Sequence, residues 1–355
     1  MDRIGKLMDV LKPLEVEAVL VQEPSNRYYL SGFTGSAGSL LLAGGERFLV
    51  TDFRYLEQAA EECLGIQVWD QGREGPYAAI AKILEQKGIG RLGFEEDMVT
   101  WRAWKRMEEA MPRTTLVPVS EQILRLRTRK DPEEIEKIGK AAKLGDLAFA
   151  HILGELRPGV SELEVALEIE CFLRRNGAQK LSFDTIAASG PRSSLPHAQP
   201  TERKLVQGDF LTLDFGCVLD HYCSDMTRTV VLGKADVRQK EIYGVVRQAQ
   251  ETALSGIRPG MTGKEADALA RDVIEAAGWG KMFGHGLGHG LGLEVHESPR
   301  FSPNDSTVIQ ENMVMTVEPG IYVPGFGGVR IEDLVVVVKD GVLNMTGSPK
   351  ELMEL

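Results

Sequence analysis

Short apolar runs alternate with helical patterns over the first part of the chain. Three apolar runs are bounded by Gly, Pro, Ser and Asn, as buried strands typically are, and they lie at residues 18–21, 38–44 and 47–52. Apolar residues recur at helical spacing in three further segments, at residues 55–62, 77–86 and 101–110. Strands that alternate with helices in this way predict a small α/β domain.

A basic stretch, LRLRTRKD, follows this region and leads into a helix start. Asp131 is the predicted N-cap, Pro132 takes the first helical position, and Glu134 has the spacing of a capping box. We therefore predict a domain boundary beside Thr128. The two predicted domains are residues 1–128 and 129–355.

The second domain contains an internal repeat. RPGVSELE at 157–164 and RPGMTGKE at 258–265 each follow a helical pattern, turn at Pro-Gly, and begin a second helix with a capping box. A glycine and a β-rich segment come after each second helix. Two helices followed by strands, found twice, predict two similar α+β halves. Alternatively, the motif is a turn sequence that commonly connects two helices, but the order of helices and strands repeats in either case.

Composition and charge narrow the class of protein. With 43% hydrophobic and 26% charged residues in 355, the chain is neither disordered nor a small disulfide-stapled protein. A net charge of −11 disfavours nucleic acid and anionic membranes as partners. No segment approaches the roughly 20 apolar residues of a membrane span or has the pattern of a signal peptide. Four cysteines without CxxC spacing are interpreted as buried thiols, and we expect a cytoplasmic protein.

Two aspartates lie on apolar segments that predict a β-hairpin. Asp214 and Asp225 are equidistant from a turn centred between Leu219 and Asp220, so they are predicted to face each other across the two strands. Carboxylates that close repel each other and resist burial unless a proton or a cation compensates. The pair is therefore a candidate metal site.

A second carboxylate pair occurs near the C-terminus. Glu318 and Glu332 are symmetric about the Gly-rich loop at 325–328, although Pro319 and Pro324 should interrupt a regular ladder. Either carboxylate pair alone could be an edge-strand charge or a protonated pair. Two such pairs on apolar hairpins favour a metal site.

The segment GHGLGHGLGLEVHESP contains three of the six histidines, His285, His289 and His296. Its alternating glycines let the backbone approach a ligand closely. The absence of HExxH, Walker A and GxGxxG spacings removes the usual support for a zincin, a P-loop or a dinucleotide site. One imidazole with four carboxylates suits Mn, Co or Zn, and four negative charges balance two divalent cations. The pattern thus favours a dinuclear site able to activate water.

These motifs, in the order GDFLTLDFG, YCSDMTRT, GHGLGHGLGLEVHESP, TVEPGIY and GVRIEDLVVV, resemble those of the pita-bread metallopeptidases. That family includes aminopeptidase P, prolidase and methionine aminopeptidase. The resemblance covers most of the chain. It implies an α+β fold, in which a pita-bread (creatinase/aminopeptidase) domain with a pseudo-twofold repeat follows a smaller α/β creatinase-type N-terminal domain.

The resemblance also implies a ligand set for two divalent ions, Mn foremost and Co or Zn as alternatives. The implied ligands are Asp214, Asp225, His289, Glu318 and Glu332. Glu318 would in addition accept and shuttle a proton. Arg330 would join the hydrogen-bond network beside Glu332.

Roles for the histidines are likewise implied by the resemblance. His197 would approach the substrate, and His296 would donate to the scissile carbonyl or its oxyanion. His285 would lie behind the ligands or beside the proline of the substrate. His151 and His221 match no functional position and are expected to be structural or surface residues.

The N-terminal segments NRYYLSGFTGSAG and TDFRYLEQA resemble those of the proline-directed members of the family. Their sequences are closer to aminopeptidase P-like proteins than to prolidases. The predicted activity is therefore that of a Xaa-Pro aminopeptidase acting on proline-containing peptides, with a Xaa-Pro dipeptidase (prolidase) as the alternative. A non-catalytic pita-bread binding module and a metal-independent creatinase-like amidinohydrolase are remote alternatives, because all five ligands are present. The N-terminal domain also implies a homodimer.

Overall fold

The computed structural model describes residues 2–355 and divides them into two units, one ending at Arg127 and the other running from Thr128 to Leu355. No helix within this described range is both long and apolar enough to cross a membrane. All four cysteines are free thiols; Cys63, Cys217 and Cys223 are buried, and Cys171 is half-buried.

A six-stranded mixed sheet forms the centre of the first unit, with the strand order β4-β3-β2-β1-β5-β6. Its strands are β1 (Ala18–Val21), β2 (Ser39–Ala43), β3 (Glu46–Thr51), β4 (Gln67–Asp70), β5 (Arg91–Phe94) and β6 (Thr115–Pro118). β1 and β2 are buried along their whole length because both faces of the sheet are covered. The predicted α/β arrangement of this unit is confirmed.

Six helices accompany this sheet: α1 (Arg3–Leu11), α2 (Pro24–Ser31), α3 (Leu56–Glu62), α4 (Pro76–Lys87), α5 (Trp101–Ala110) and α6 (Ser120–Thr128). Helix α4 packs Ile80, Ile83 and Leu84 into the apolar core of the sheet. All three predicted helices are confirmed with ends within one residue of those observed.

Two helix pairs organise the second unit, α7 (Pro132–Leu153) with α8 (Glu162–Arg175), and α9 (Val237–Gly256) with α10 (Gly263–Ala276). The predicted capping boxes at Asp131, Ser161 and Thr262 are all present. A further box at Asp236, which the sequence analysis did not identify, begins α9.

The strands that follow the first helix pair form two three-stranded sheets, ordered β12-β9-β8 and β11-β10-β7. They are β7 (Lys180–Leu181), β8 (Ile186–Ser189), β9 (Phe210–Phe215), β10 (Cys217–Leu219), β11 (Tyr222–Cys223) and β12 (Met226–Val231). Apolar side chains of β9 pack against α7 and α8 in one core.

The strands after the second helix pair form a five-stranded sheet, β14-β13-β15-β18-β19, and a separate pair, β16-β17. They are β13 (Gly288–Gly290), β14 (Glu297–Phe301), β15 (Val314–Val317), β16 (Gly320–Val323), β17 (Gly327–Arg330), β18 (Asp333–Val338) and β19 (Gly341–Asn344). A second core joins them to α9 and α10. The predicted repeat of two helices followed by strands is confirmed.

Candidate metal centre

The two aspartates lie in one hairpin but not in the predicted register. Asp214, near the end of β9, is paired with Thr227 of β12, and Asp225 lies just before β12. The prediction that Asp214 and Asp225 face each other directly is wrong. The turn residues Asp220 and His221 have φ of 48° and 71°, so the hairpin is centred one residue later than predicted. The slip is two residues, so both carboxylates keep the same face of the sheet.

Glu318 and Glu332 lie within a break between two β-ladders. Val317 pairs with Asp333 before the break, and Gly320 pairs with Arg330 after it. Both pairs have the register that would set Glu318 opposite Glu332. The break falls at Pro319, in keeping with the prediction that proline interrupts the ladder.

Asp225, His289 and Glu332 form a compact group of potential ligands. One donor atom from each lies within 4.8 Å of the others, and all three residues are buried. The Nε2 atom of His289 is 3.6 Å from Asp225 Oδ2 and 3.5 Å from Glu318 Oε1. Within the described residues, Asp214 Oδ1 and Glu332 Oε1 are buried without a hydrogen-bond partner. Buried acceptors without donors are expensive unless a cation compensates them.

The hydrogen bond of His289 identifies its tautomer. Its Nδ1 lies 3.0 Å from the carbonyl oxygen of Gly290, which can only accept, so Nδ1 carries the proton. Burial lowers the pKa of His289 to about 4, so the ring is neutral near pH 7. The lone pair of Nε2 therefore faces the oxygens of Asp225 and Glu318. Atoms that only accept converge here, which fits the ligand shell of a divalent cation.

The carboxylates repel one another strongly. Burial, and then the charges of Glu332 and Asp214, raise the pKa of Asp225 well above its ordinary value. Burial, followed by the charge of Glu318, raises the pKa of Glu332 in the same way, and burial raises the pKa of Glu318 to about 7. These groups cannot all be ionised without cations between them, so the donor set fits metal ions.

Arg330 lies behind the aspartate side of this cluster. Its Nη2 donates to Asp214 Oδ2 and its Nε donates to Thr227 Oγ1 at 3.0 Å. Thr227 Oγ1 in turn donates to Glu332 Oε2 at 2.7 Å. Arg330 thus contacts Glu332 through Thr227 and orients one oxygen of each carboxylate, leaving the other for a cation.

His285 is held by a residue that the sequence analysis did not identify, Tyr322. His285 Nδ1 donates to the carbonyl of Gly286 at 2.7 Å, so its Nε2 accepts the Tyr322 hydroxyl at 2.8 Å. The same hydroxyl accepts from Arg330 Nη1 at 2.8 Å. Both ring nitrogens of His285 are therefore occupied. The signal for Tyr322 was its position in TVEPGIY, four residues after Glu318.

One cavity of about 350 Å³ brings the predicted site residues together. Its walls include all nine of them: His197, Asp214, Asp225, His285, His289, His296, Glu318, Arg330 and Glu332. The rings of His289 and His296 are 4.4 Å apart between centroids. Burial, and then the charge of Arg300, lower the pKa of His296. By contrast, His151 stacks on Phe172 of α8, and His221 lies in the hairpin turn.

The cavity also contains a cation that the sequence analysis missed, Arg300. Arg300 lies on β14 directly across from His289 on β13. The sequence offered only a weak signal, an arginine four residues after His296. Arg300 is exposed, and its positive charge acts on the neighbouring rings of His289 and His296.

Two family models match the chain. The model described as metallopeptidase family M24 matches residues 136–339, and the creatinase/prolidase N-terminal domain matches residues 3–129. A Xaa-Pro dipeptidase from Pyrococcus horikoshii is 38% identical over 357 residues, which cover 99% of each chain.

Solved structures give the same picture. The Xaa-Pro dipeptidase from Bacillus anthracis is similar with a TM-score of 0.97 and 43% identity, covering 100% of this chain and 99% of that one. The X-Pro aminopeptidase from Thermotoga maritima MSB8 is similar with a TM-score of 0.92 and 35% identity, covering 98% and 100%. The similarity therefore extends over both units.

Proposed function

The chain belongs to metallopeptidase family M24, and on that premise we propose that it is a Xaa-Pro dipeptidase. The predicted family and the predicted fold, a creatinase-type N-terminal domain followed by an M24 domain, are confirmed. The predicted main activity, a Xaa-Pro aminopeptidase, has less support than its alternative. Similar proteins over the full length carry the name Xaa-Pro dipeptidase.

The observation that carries this proposal is Arg300 in the wall of the cavity. A Xaa-Pro dipeptide has a free carboxylate directly after the proline, whereas a longer peptide has an amide there. An arginine pairs with a carboxylate through two charge-assisted hydrogen bonds, and it gains much less from an amide. The cavity, at about 350 Å³, is also at the small end of the roughly 300–1,000 Å³ that is usual for ligand sites.

The metal ligands in this proposal are Asp214, Asp225, His289, Glu318 and Glu332. Four carboxylates and one neutral imidazole suit two divalent cations, with Mn as the first candidate and Co or Zn as alternatives. When bound, the ions would lower the pKa of a water and polarise the scissile carbonyl.

Proton transfer, stabilisation of the oxyanion and contact with the proline are assigned to different side chains at the site. Glu318 Oε1 accepts from Thr316 Oγ1 at 3.2 Å, and the carboxylate can take a proton from the attacking water and return it to the proline nitrogen. The exposed edges of His296 and His197 can donate to the developing oxyanion. Because both nitrogens of His285 are already hydrogen-bonded, this residue presents its ring to the apolar proline rather than donating to the substrate.

A test compares Ala-Pro, Ala-Pro-amide and Ala-Pro-Ala with the manganese-loaded enzyme and a chelator-treated control. We expect Ala-Pro to be the best substrate and chelation to abolish its cleavage. The variant Arg300→Met should raise KM for Ala-Pro by about 10-fold or more and change the amide little, since only the dipeptide presents a charge to the guanidinium.

The X-Pro aminopeptidase is the second candidate, because a solved structure of that name is also similar over the whole chain. Faster cleavage of Ala-Pro-Ala than of Ala-Pro would favour it. An Arg300→Met variant that affected Ala-Pro and its amide equally would remove the basis for dipeptide selection.

Assembly as a homodimer remains part of the proposal, and sedimentation of the loaded enzyme would test it.

A further inference from the structure

A completely buried carboxylate, that of Glu162, lies on α8 and is not among the residues that line the cavity. Its Oε1 accepts the backbone N–H of Ser189 at 2.9 Å and the Ser189 hydroxyl at 2.7 Å. Its Oε2 accepts Arg192 Nε at 3.0 Å, the Thr201 N–H at 3.0 Å and the Thr201 hydroxyl at 2.7 Å. Five donors thus converge on one carboxylate.

These donors lie at both ends of one loop, residues 190–200, here named the His197 loop. Ser189 ends β8 just before the loop, and Thr201 follows it directly. Arg192 also spans the loop, because its Nη2 donates to the carbonyl of Gln199 at 2.5 Å. A single anion therefore ties the two ends of the loop together.

The His197 loop contributes Pro196, His197 and Gln199 to the cavity wall. His197 lines the cavity wall, and the carbonyl of Pro196 accepts from Arg330 Nη1 at 3.3 Å. A shift of the loop would therefore move a histidine that faces the substrate. The ligands Asp225, His289 and Glu332 lie on other elements, so their positions do not depend directly on this loop.

The ionisation of Glu162 suits a residue that holds the two ends of the His197 loop together. Burial favours the neutral acid, but hydrogen bonds from Thr201 and Ser189 and the charge of Arg192 outweigh it, so the pKa of Glu162 lies below its ordinary value. An ionised carboxylate only accepts hydrogen bonds, which matches a shell made entirely of donors. An amide in its place would turn an NH₂ group against some of those donors.

We propose that Glu162 is a positioning residue that fixes the His197 loop and thereby aims His197 at the substrate. This inference rests on the proposed Xaa-Pro hydrolysis. Displacements of about 1 Å at groups that contact the reacting bond can cost about 100-fold in rate. Removal of the Glu162 charge should therefore reduce turnover while the metal ligands stay in place.

The test is a double-mutant cycle of Glu162→Gln with His197→Ala, measured as kcat and KM on Ala-Pro. We expect Glu162→Gln alone to lower kcat/KM by about 10- to 100-fold, mainly through kcat, with unchanged metal content. In the His197→Ala background the same change should cost less than about 3-fold, because the histidine it positions is absent. The inference would be overturned if the losses in kcat/KM of the two single variants multiplied in the double variant. Full activity of Glu162→Gln would also overturn it.

Glu170→Gln is the matched control, since it makes the same change of charge on the same helix; among the described residues, no hydrogen bond joins Glu170 to the His197 loop. It should leave kcat/KM within about 2-fold. If Glu162→Gln does not fold, Thr201→Val removes one donor at the end of the loop. That variant should lower kcat/KM by about 3- to 10-fold, again only when His197 is present.

Amide hydrogen exchange separates this inference from the proposed function. Exchange of residues 190–200 should be at least about 10-fold faster in Glu162→Gln than in the unmodified protein or in Glu170→Gln. Unchanged exchange would overturn the role of Glu162, whatever the substrate. Failure of the unmodified, metal-loaded enzyme to cleave any Xaa-Pro peptide would instead overturn the proposed function.

Discussion

The two halves of the second unit begin their second helix with the same capping box but differ in the side chain that follows the cap. In the first half the residue after the cap is Glu162, whose carboxylate binds the His197 loop. In the second half it is Gly263, whose N–H donates to the carbonyl of Thr307 at 3.0 Å. A Cβ atom at Gly263 would lie 2.2 Å from the carbonyl oxygen of Arg300.

The N–H of Glu162 likewise donates to the carbonyl of Arg203 at 3.1 Å. The repeat therefore preserves the backbone contact at the start of the second helix, and the halves differ in the side chain at this position. In each half, the start of the second helix lies against a segment that supplies a residue to the cavity, His197 in one and Arg300 in the other. In the first half, the Glu162 carboxylate accepts hydrogen bonds from both ends of the His197 loop. In the second half, Gly263 has no side chain, so two backbone segments can pack closely.

Both halves supply a carboxylate to the same buried cluster, Asp225 from the first and Glu332 from the second. If the halves contribute equally, Asp225→Asn and Glu332→Gln should have equally severe effects. We expect each to lower kcat/KM by about 1,000-fold or more, because each removes a proposed anionic ligand from a site that would stabilise charge in the transition state. Metal content, measured by mass spectrometry after gel filtration, should fall below two ions per chain.

Asp220→Asn is the control for the first half. Asp220 lies in the exposed turn of the same hairpin with a positive φ, which asparagine tolerates, so activity and metal content should not change. A normal metal content in only one of the two ligand variants would break the symmetry between the halves.

The second prediction concerns the ion pair between the halves, Arg228 of β12 with Asp333 of β18. Asp333 follows Glu332 directly, yet its carboxylate accepts from Arg228 Nη2 at 2.7 Å, Gln250 Nε2 at 2.8 Å and Lys350 Nζ at 2.6 Å. Asp333→Asn should leave the Arg228 charge buried and poorly compensated. We expect a loss of about 3–5 kcal/mol in the free energy of unfolding, measured by urea denaturation.

The comparison with Glu332 sharpens this prediction. Asp333→Asn should lower the free energy of unfolding and leave metal content per folded molecule unchanged. Glu332→Gln should lower metal content and leave the free energy of unfolding unchanged. Asp340→Asn, in the exposed turn after β18, is the control and should change neither quantity. A loss of less than about 1 kcal/mol from Asp333→Asn would mean that the halves do not depend on this ion pair.

The local patterns of the sequence predicted most of the fold. Apolar periodicity and capping boxes depend on neighbouring residues, so helix starts such as Asp131 and Ser161 were found correctly. The hairpin register was not, because Asp220-His221 gives no strong turn signal of the Asn-Gly kind. The cavity still contains both aspartates, since a slip of two residues preserves the face of a strand.

The residues that the sequence analysis missed act through distant contacts. Arg300 faces His289 across two strands, and Tyr322 reaches His285 from another hairpin. Glu162 looked like an ordinary acidic residue in the first turn of a helix, where it suits the helix dipole. Its donors lie 27 to 39 residues away, beyond the reach of any periodicity.

The last prediction tests the close backbone packing of the second half. Gly263→Ala should lower the free energy of unfolding by about 1–3 kcal/mol, because the new methyl group meets a carbonyl oxygen and cannot simply rotate away. Gly244→Ala in α9 is the matched control, since a Cβ there meets no atom within 4 Å. That change should stabilise the protein by about 0.5–1 kcal/mol through helix propensity. Equal shifts for the two variants in urea denaturation would show that a side chain fits at Gly263, and the contrast with Glu162 would then be one of sequence without a packing cause.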